Sequence, residues 1–464
     1  MVKIGFVPSH RSPFNREWAI KMRNRVIKSI NMGLPEIELV YPDDKLTDGG
    51  LVTFEKDAEK VIDLFKQKGV EGLLIGMMTF GEELPNLTIA DAFDKLPMQV
   101  FGTKEGPFTD DGNRKSDSFC GTISTASGLI RRNIKFDFAG IYFPEEEEFI
   151  SDLKRFSRVV LACNGFIGAR IGILGSRPAP FETCAINEVD LIESFKQRVV
   201  PFDLITLKAQ MDSKTTDTEL DFIIEDIKNQ YDTSLVNIEQ IIKTAKMEYF
   251  LTKYASENKL SGFGIQCWTA MQEQIGVSPC LSMGRLTNKG IMTSCEVDVH
   301  GTLTMLAQHL LSFKKTVPHF IDWTIQNQED ENTFLAWHCG NAPISLKYGN
   351  IKPRIDSHSI LGCQLGFDRS IGTAEFQLQN GIVTLSRLVE INGKFKMLNV
   401  TGEGGYDPRT LRGSWKWIKV HDLKKLYRTI IEEGFTHHAS MIFGDISKEM
   451  KTFCKFMNIE YVNL

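Results

Sequence analysis

Four side chains of this sequence, Glu296, Asp322, His338 and His438, are of the types that hold a divalent cation or pass a proton. Glu296 closes the run GIMTSCE, which is otherwise small and apolar. A carboxylate at the carboxyl end of a buried parallel strand faces the crevice where α/β sheets bind ligands. Asp298 follows two residues later. Asp322 interrupts Phe320, Ile321 and Trp323 in HFIDWT, and an acid inside an apolar run is costly unless it is paired, hydrogen-bonded or bound to metal. His338 directly follows an apolar stretch in AWHCGNAP, and His437 and His438 stand side by side in EGFTHHASMIFGD. Taken singly, each histidine could cap or pack locally, Asp322 could cap a turn, and Glu296 could meet a lysine or a backbone donor. Taken together, two carboxylates and two imidazoles form a hard donor set suited to Mn²⁺ or a related divalent ion. The adjacent Cys295 and Cys339 are expected to face the core, because neighbours along a strand point to opposite faces.

The elements that must position these groups follow from hydrophobic periodicity. In the first third, β-rich runs at 3–7, 37–42, 72–78 and 98–102 alternate with helical spacing at 15–31 and 54–68, the pattern of a parallel sheet wrapped by helices. A helix at 146–163 leads into a second α/β unit. Its strands are expected at 170–175, 202–207, 262–268 and 290–296, with helices through 217–258 and over VHGTLTMLAQHLL. From about residue 316 the pattern changes to alternating runs with turn signals at QNG (379–381) and ING (391–393), which reads as antiparallel β. Helices at 421–433 and 446–457 flank the strand ASMIFG. The expected architecture is α/β: two Rossmann-like parallel-sheet domains, 1–165 and 166–315, and a β-rich, barrel-like antiparallel domain, 316–464. Glu296 falls in the second domain.

Composition narrows the function classes. A chain of 464 residues with 42% hydrophobic and 24% charged residues is neither largely disordered nor a disulfide-stapled miniprotein. A formal net charge of −5 offers no footprint for nucleic acid or an anionic membrane. Nine cysteines without a CxxC pair speak against a zinc knuckle and for a reducing compartment. With no signal-peptide pattern at MVKIGFVPSHRS and no long apolar span, a cytoplasmic protein is expected. The sequence has no GxGxxG opening a helix after a strand, no P-loop, no GxSxG and no HExxH, so nucleotide, serine-hydrolase and zincin chemistry lack their motifs.

The stretch GIQCWTAMQEQIGVSPCLSMGRLTNKGIMTSCEVDVHGTLTMLAQHLL resembles the second domain of the L-fucose/L-arabinose isomerase superfamily, and more closely its L-fucose isomerase-like branch. The resemblance continues through FIDWT, AWHCGNAP and GFTHHASMIFGD, and extends to SFCGTISTASGLIRR near the N-terminus. It implies an aldose–ketose isomerase, Mn²⁺-dependent as a rule, with the metal held in chain order by Glu296, Asp322, His338 and His438. Arabinose isomerases carry an acid one position before Asp322, where this chain has Ile321, so the role passes to Asp322 as in the fucose-type pattern. The resemblance also implies a homo-oligomer, a trimer or hexamer.

Such an enzyme moves a proton between C1 and C2 of an open-chain sugar through an ene-diolate. Glu296 and Asp322 are the expected proton-transfer pair, while the ion holds the two sugar oxygens. Gln266, Trp268, Trp337 and His437 are the expected substrate contacts, with core packing as the competing role for the tryptophans. One alternative is the same reaction on a modified anionic hexose such as sulfoquinovose. Arg11, Arg16, Lys104, Arg285 and Arg412 are candidates to clamp its anion. The other alternative is a non-catalytic sugar-binding protein.

Overall fold

The computed structural model describes residues 1–215 and 217–464 and divides into two compact units, Met1–Asn164 with Lys451–Met457, and Gly165–Met450 with Asn458–Leu464. Among the described residues no helix is long and apolar enough to cross a membrane.

The first unit is built on five parallel strands, β1 (Val2–Ser9), β2 (Ile37–Val40), β3 (Gly72–Met77), β4 (Met98–Thr103) and β5 (Asp137–Tyr142), in the order β2-β1-β3-β4-β5. Strands β3 and β4 are buried along their whole length, which is why they read as continuous apolar runs. The predicted first helix runs Arg16–Gly33 and starts where Asn15 caps it, accepting the Trp18 N–H at 2.8 Å; its apolar face buries Ala19, Met22, Val26 and Ile30. Strand β5 was not expected from sequence. It lies at the sheet edge and is only half-buried, so its residues carry neither a continuous apolar run nor a clean alternation.

The second unit contains two sheets. Its parallel sheet has β6 (Arg170–Leu174), β7 (Arg198–Phe202), β8 (Gly262–Ile265) and β9 (Met292–Cys295), in the order β7-β6-β8-β9. Residues 202–207 correct the sequence expectation of a strand there. The strand ends at Phe202, and Asp203 caps a helix, Leu204–Ser213, by accepting the Thr206 N–H at 2.8 Å. A capping Asp inside an apolar run is a helix start, and the apolar period alone does not distinguish the two.

The other sheet comprises β10 (His319–Gln326), β11 (Thr333–His338), β12 (Arg354–Ser357), β13 (Ile371–Gln377), β14 (Gly381–Ile391), β15 (Lys394–Gly404), β16 (Ser414–Val420), β17 (His438–Phe443) and β18 (Glu460–Asn463). Six of these close on themselves through antiparallel pairings, β16-β11-β10-β17-β14-β15 and back to β16. This barrel has no open edge among those six strands. Strands β13 and β18 attach to it in parallel, and β12 continues from β13. Ile321, Phe334, Leu385, Leu398, Ile418 and Met441 belong to its packed core. The β14–β15 hairpin turns at Asn392 and Gly393, both with positive φ (54° and 74°), the two-residue turn that matches strand twist and that the ING signal predicts.

Candidate active site

Glu296 is presented by the end of β9. The chain leaves Cys295 through two left-handed residues, Glu296 (φ 59°) and Val297 (φ 58°), before Asp298 caps the helix Val299–Leu311 by accepting the Gly301 N–H at 2.8 Å. Such conformations cost roughly 1–3 kcal/mol each in non-glycine residues and persist only where the surroundings enforce them. Gly264 on β8 makes room for this corner, since a Cβ there would stand 2.8–2.9 Å from the Val297 backbone. Asp322 and His438 arrive from the barrel, directly opposite each other in the β10–β17 register. Trp337 faces Asp322 from the other side, across β10–β11.

These elements bring the sequence-predicted groups together. His438 Nε2 lies 3.6 Å from both Glu296 Oε2 and Asp322 Oδ1, and His437 Nε2 lies 3.5 Å from Glu296 Oε2. Asp322, His338 and His438 each offer a ligand atom, and these lie within 4.8 Å of one another. His438 is 1% exposed and its ring packs on Phe320 at 4.6 Å between centroids. Its Nδ1 donates to Asp298 Oδ2 at 2.8 Å, which leaves the Nε2 lone pair facing the two carboxylates. Asp298 in turn accepts from Arg387 Nη1 at 2.5 Å and Nη2 at 3.1 Å. Burial alone would raise the Asp298 carboxyl, but the Arg387 guanidinium and His438 outweigh it and hold it well below the usual carboxylate range.

Asp322 behaves in the opposite way. Burial pushes its carboxyl up from the ordinary 3.8 to about 6; His438 and His437 oppose the rise and the Glu296 charge adds to it. Its Oδ1 is buried and finds no hydrogen-bond donor among the described residues. An orphaned carboxylate oxygen beside a second carboxylate and an imidazole lone pair fits a divalent cation with a preference for oxygen donors. Burial by itself would lower His437, but hydrogen bonding to Glu296 and the charges of both acids raise it. His338 sits differently. Its Nδ1 accepts the Cys339 N–H at 2.8 Å, so the ring as placed offers an Nε2–H to the site, and ligation through Nε2 would need the other tautomer.

Of the remaining expected contacts, Trp268 forms a wall with Phe181 (5.8 Å between centroids) and His358 (6.0 Å), and Phe181 also stacks on His437 at 6.0 Å. The Gln266 carbonyl oxygen is engaged elsewhere, accepting the Ser176 N–H at 3.0 Å. Trp337 Nε1 donates to the Arg412 carbonyl at 2.7 Å. All five cationic clamp candidates meet carboxylates: Arg11 with Glu82, Arg16 with Asp48, Lys104 with Glu146, Arg285 with Glu248 and Asp226, and Arg412 with Glu375. Arg285 is buried in its network, so it serves structure and not an incoming anion. A cavity of about 830 Å³, lined by Lys289, His309, Lys314 and Gln379 among others, lies elsewhere in this unit and includes none of the site groups.

Two groups escaped the sequence reading. Cys184 brings its sulfur to 3.9 Å from Glu296 Oε2, and nothing in its local sequence marks it. Arg387 left a usable signal, a lone arginine amid the buried run VTLSRLV of β14, which requires a buried counter-charge.

Residues 5–167 match the family model described as Fucose/sulfoquinovose isomerase, N-terminal domain, and residues 336–464 match that described as L-fucose isomerase, C-terminal domain. The chain is 23% identical over 459 residues to a sulfoquinovose isomerase of Priestia aryabhattai, covering 98% of this chain and 97% of that protein. It is 24% identical over 472 residues to a sulfoquinovose isomerase of Alkalicoccus urumqiensis, covering both chains completely. A sulfoquinovose isomerase of Clostridium sp. (strain MSTE9) is 23% identical over 399 residues, covering 84% of this chain and 85% of that one. Matched by family models at both ends and by relatives along its length, the chain belongs to the fucose isomerase-like superfamily and is a sugar isomerase, an intramolecular oxidoreductase of the aldose–ketose type.

Proposed function

We propose that this chain is a divalent-metal-dependent isomerase that interconverts an anionic aldohexose of the sulfoquinovose class with its ketose. The observation that carries the reading is the convergence of Glu296, Asp322 and His438 within 3.6 Å contacts, with Asp322 Oδ1 left without a donor. Likeness to sulfoquinovose isomerases over the whole length supports the substrate class. Glu296, Asp322 and His438 would hold the ion, with His338 as a fourth ligand in its other tautomer, and the oxygen-rich set favours Mn²⁺. When bound, the ion supplies Lewis-acid polarisation of the sugar oxygens and offsets developing negative charge.

The chain's own residues handle the protons. One of the two carboxylates takes the proton from C2 of the open-chain aldose, and the other delivers one to C1. The O2 hydroxyl proton passes to O1, and proton exchange between the carboxylates through solvent restores their starting states. Without the ion Asp322 holds its proton up to about 6, so proton and metal would compete for this carboxylate. Asp298 keeps His438 in the tautomer that leaves Nε2 free. Phe181 and Trp268 offer apolar faces to the sugar's C–H surfaces and limit the water around it. Within this reading, 1–165, 166–315 and 316–464 act as three domains, and copies of the chain assemble as a trimer or hexamer. The exposed Phe119, Ile123 and Ile130 on the helix Ser118–Arg131 form an apolar stripe suited to a partner copy.

The test is ketose formation by the purified chain with Mn²⁺ from sulfoquinovose, L-fucose, L-arabinose and D-arabinose, before and after EDTA. Turnover of the sulfonated sugar, abolished by EDTA and restored by Mn²⁺, is expected. Full turnover after EDTA dialysis would overturn the metal assignment. Turnover confined to an uncharged sugar would overturn the substrate class.

A further inference from the structure

We propose that Cys184, Glu296 and His438 form a second, thiolate-bearing metal site that captures zinc-class ions and in doing so inhibits the enzyme. Cys184 ends the short turn Glu182–Cys184 between β6 and β7, and its N–H is held by the Phe181 carbonyl at 3.0 Å. Phe181 is the residue that packs on both Trp268 and His437, so the turn is anchored over the site. The sulfur lies 3.9 Å from Glu296 Oε2 and 4.0 Å from the His438 ring at Nδ1. Cys184, Glu296 and His438 are 3%, 5% and 1% exposed, and their ligand atoms lie within 4.8 Å of one another. Among the described residues no other cysteine joins a histidine and a carboxylate in such a group.

The spacing fits a small tetrahedral ion. Metal–sulfur bonds near 2.3 Å and metal–nitrogen or metal–oxygen bonds near 2.1 Å set S···O about 3.6 Å and N···O about 3.4 Å apart. The corresponding distances here are 3.9 Å and 3.6 Å, so these two edges need shifts of a few tenths of an ångström. The sulfur meets the ring on its Nδ1 side at 4.0 Å, and a small ring or Cys184 rotation must bring it toward Nε2. A sulfur–nitrogen–oxygen set selects borderline-soft Zn²⁺ or Co²⁺, whereas the set of Asp322, His338 and His438 contains no sulfur. His438 belongs to both sets, and its Nδ1 is committed to Asp298, so one Nε2 cannot serve both ions. On capture the Sγ–H bond breaks, a sulfur–metal bond forms, and the proton leaves to solvent with no change of oxidation state. The inhibitory consequence rests on the role proposed above for Glu296 and His438, whereas the site itself does not.

The experiment titrates the EDTA-dialysed full chain with Co²⁺ and reads the near-ultraviolet thiolate-to-cobalt charge-transfer band, in the parent and in Cys184→Ser and Cys184→Ala. In parallel, the Zn²⁺ concentration that halves Mn²⁺-supported turnover is measured for each protein. The expected result is a band in the parent that both variants lose, with the half-inhibiting Zn²⁺ concentration raised at least about tenfold, the low end of what even an outer-shell partner of a metal site contributes. Absence of the band in the parent, or equal zinc sensitivity in all three proteins, would overturn the proposal. A cysteine-dependent band in a chain that isomerises no aldose would support the site and sink the catalytic reading instead.

Discussion

Asp298→Asn removes one charge from the Arg387–Asp298–His438 chain and little else. Asp298, Arg387 and His438 are 0%, 1% and 1% exposed, so solvent cannot replace what is lost. Removing one partner of a buried ion pair costs about 3–5 kcal/mol, because the other charge is left uncompensated. Here that charge is Arg387, which gives Asp298 two hydrogen bonds at 2.5 and 3.1 Å. The second effect falls on His438. An Asn that turns its amide NH₂ toward Nδ1 drives the imidazole proton to Nε2, the nitrogen 3.6 Å from both Glu296 and Asp322. Loss of such an orienting partner costs about 10–100-fold in metal affinity. The two effects separate in a cycle with Arg387→Met. That single variant strands Asp298 and should cost a similar 3–5 kcal/mol, whereas the double variant holds no lone charge and should recover most of the stability, since apolar replacement of a buried pair is often neutral. Metal affinity should stay low in the double variant, because His438 still lacks its carboxylate. Urea midpoints report the first quantity, and electron paramagnetic resonance of free Mn²⁺ during titration reports the second. Additive stability losses, or an Asp298→Asn protein that binds Mn²⁺ as tightly as the parent, would refute the reasoning.

Glu296→Gln should fold normally and lose at least ~10²-fold in turnover, the lower range for a lost general base; activity within a few-fold of the parent would remove Glu296 from proton transfer. Asp322 holds its proton up to about 6 in the folded chain against an ordinary 3.8, so its contribution to stability is fully present below 3.8 and lost as pH rises through 6. Asp322→Asn should therefore raise the melting temperature of the metal-free protein at pH 8 relative to pH 4, and Mn²⁺ occupancy of the parent should fall as pH drops through 6; a variant effect that does not change with pH would contradict this. Gly264→Ala pushes a methyl into the Val297 backbone, 2.8 Å away, and should depress turnover more than it depresses the melting temperature. Parental kinetics in the Gly264→Ala variant would show that the Glu296 corner is not held from β8.

The local period of apolar residues made most elements legible. The helix Arg16–Gly33, the strands β3 and β4, and the Asn-Gly turn of the β14–β15 hairpin all have their causes within a few residues of themselves. The half-buried edge strand β5 and the helix starting at Asp203 did not emerge, because one lacks a period and the other hides a cap inside an apolar run. Residue type and local setting also pointed to Glu296, Asp322, His338 and His438. An acid inside an apolar run, like Asp322 within β10, needs a partner, and the other three stand at or next to strand ends.

Which partner each one has is a tertiary fact. Arg387 reaches Asp298 across 89 residues, Asp298 reaches His438 across 140, and Cys184 reaches Glu296 across 112. No local pattern encodes such pairings; they exist because barrel closure brings β10, β14 and β17 side by side, while the helix behind Asp298 packs against the latter two strands. Contacts around the parallel sheet commit the side chains of Gln266, to the Ser176 N–H, and Arg285, to Glu248, although their types suited a substrate equally well. The sequence by itself determined which chemistry was available, because that depends on side-chain type. Only the folded chain decided which groups keep a free lone pair or an unpaired charge, because that depends on what burial places beside them.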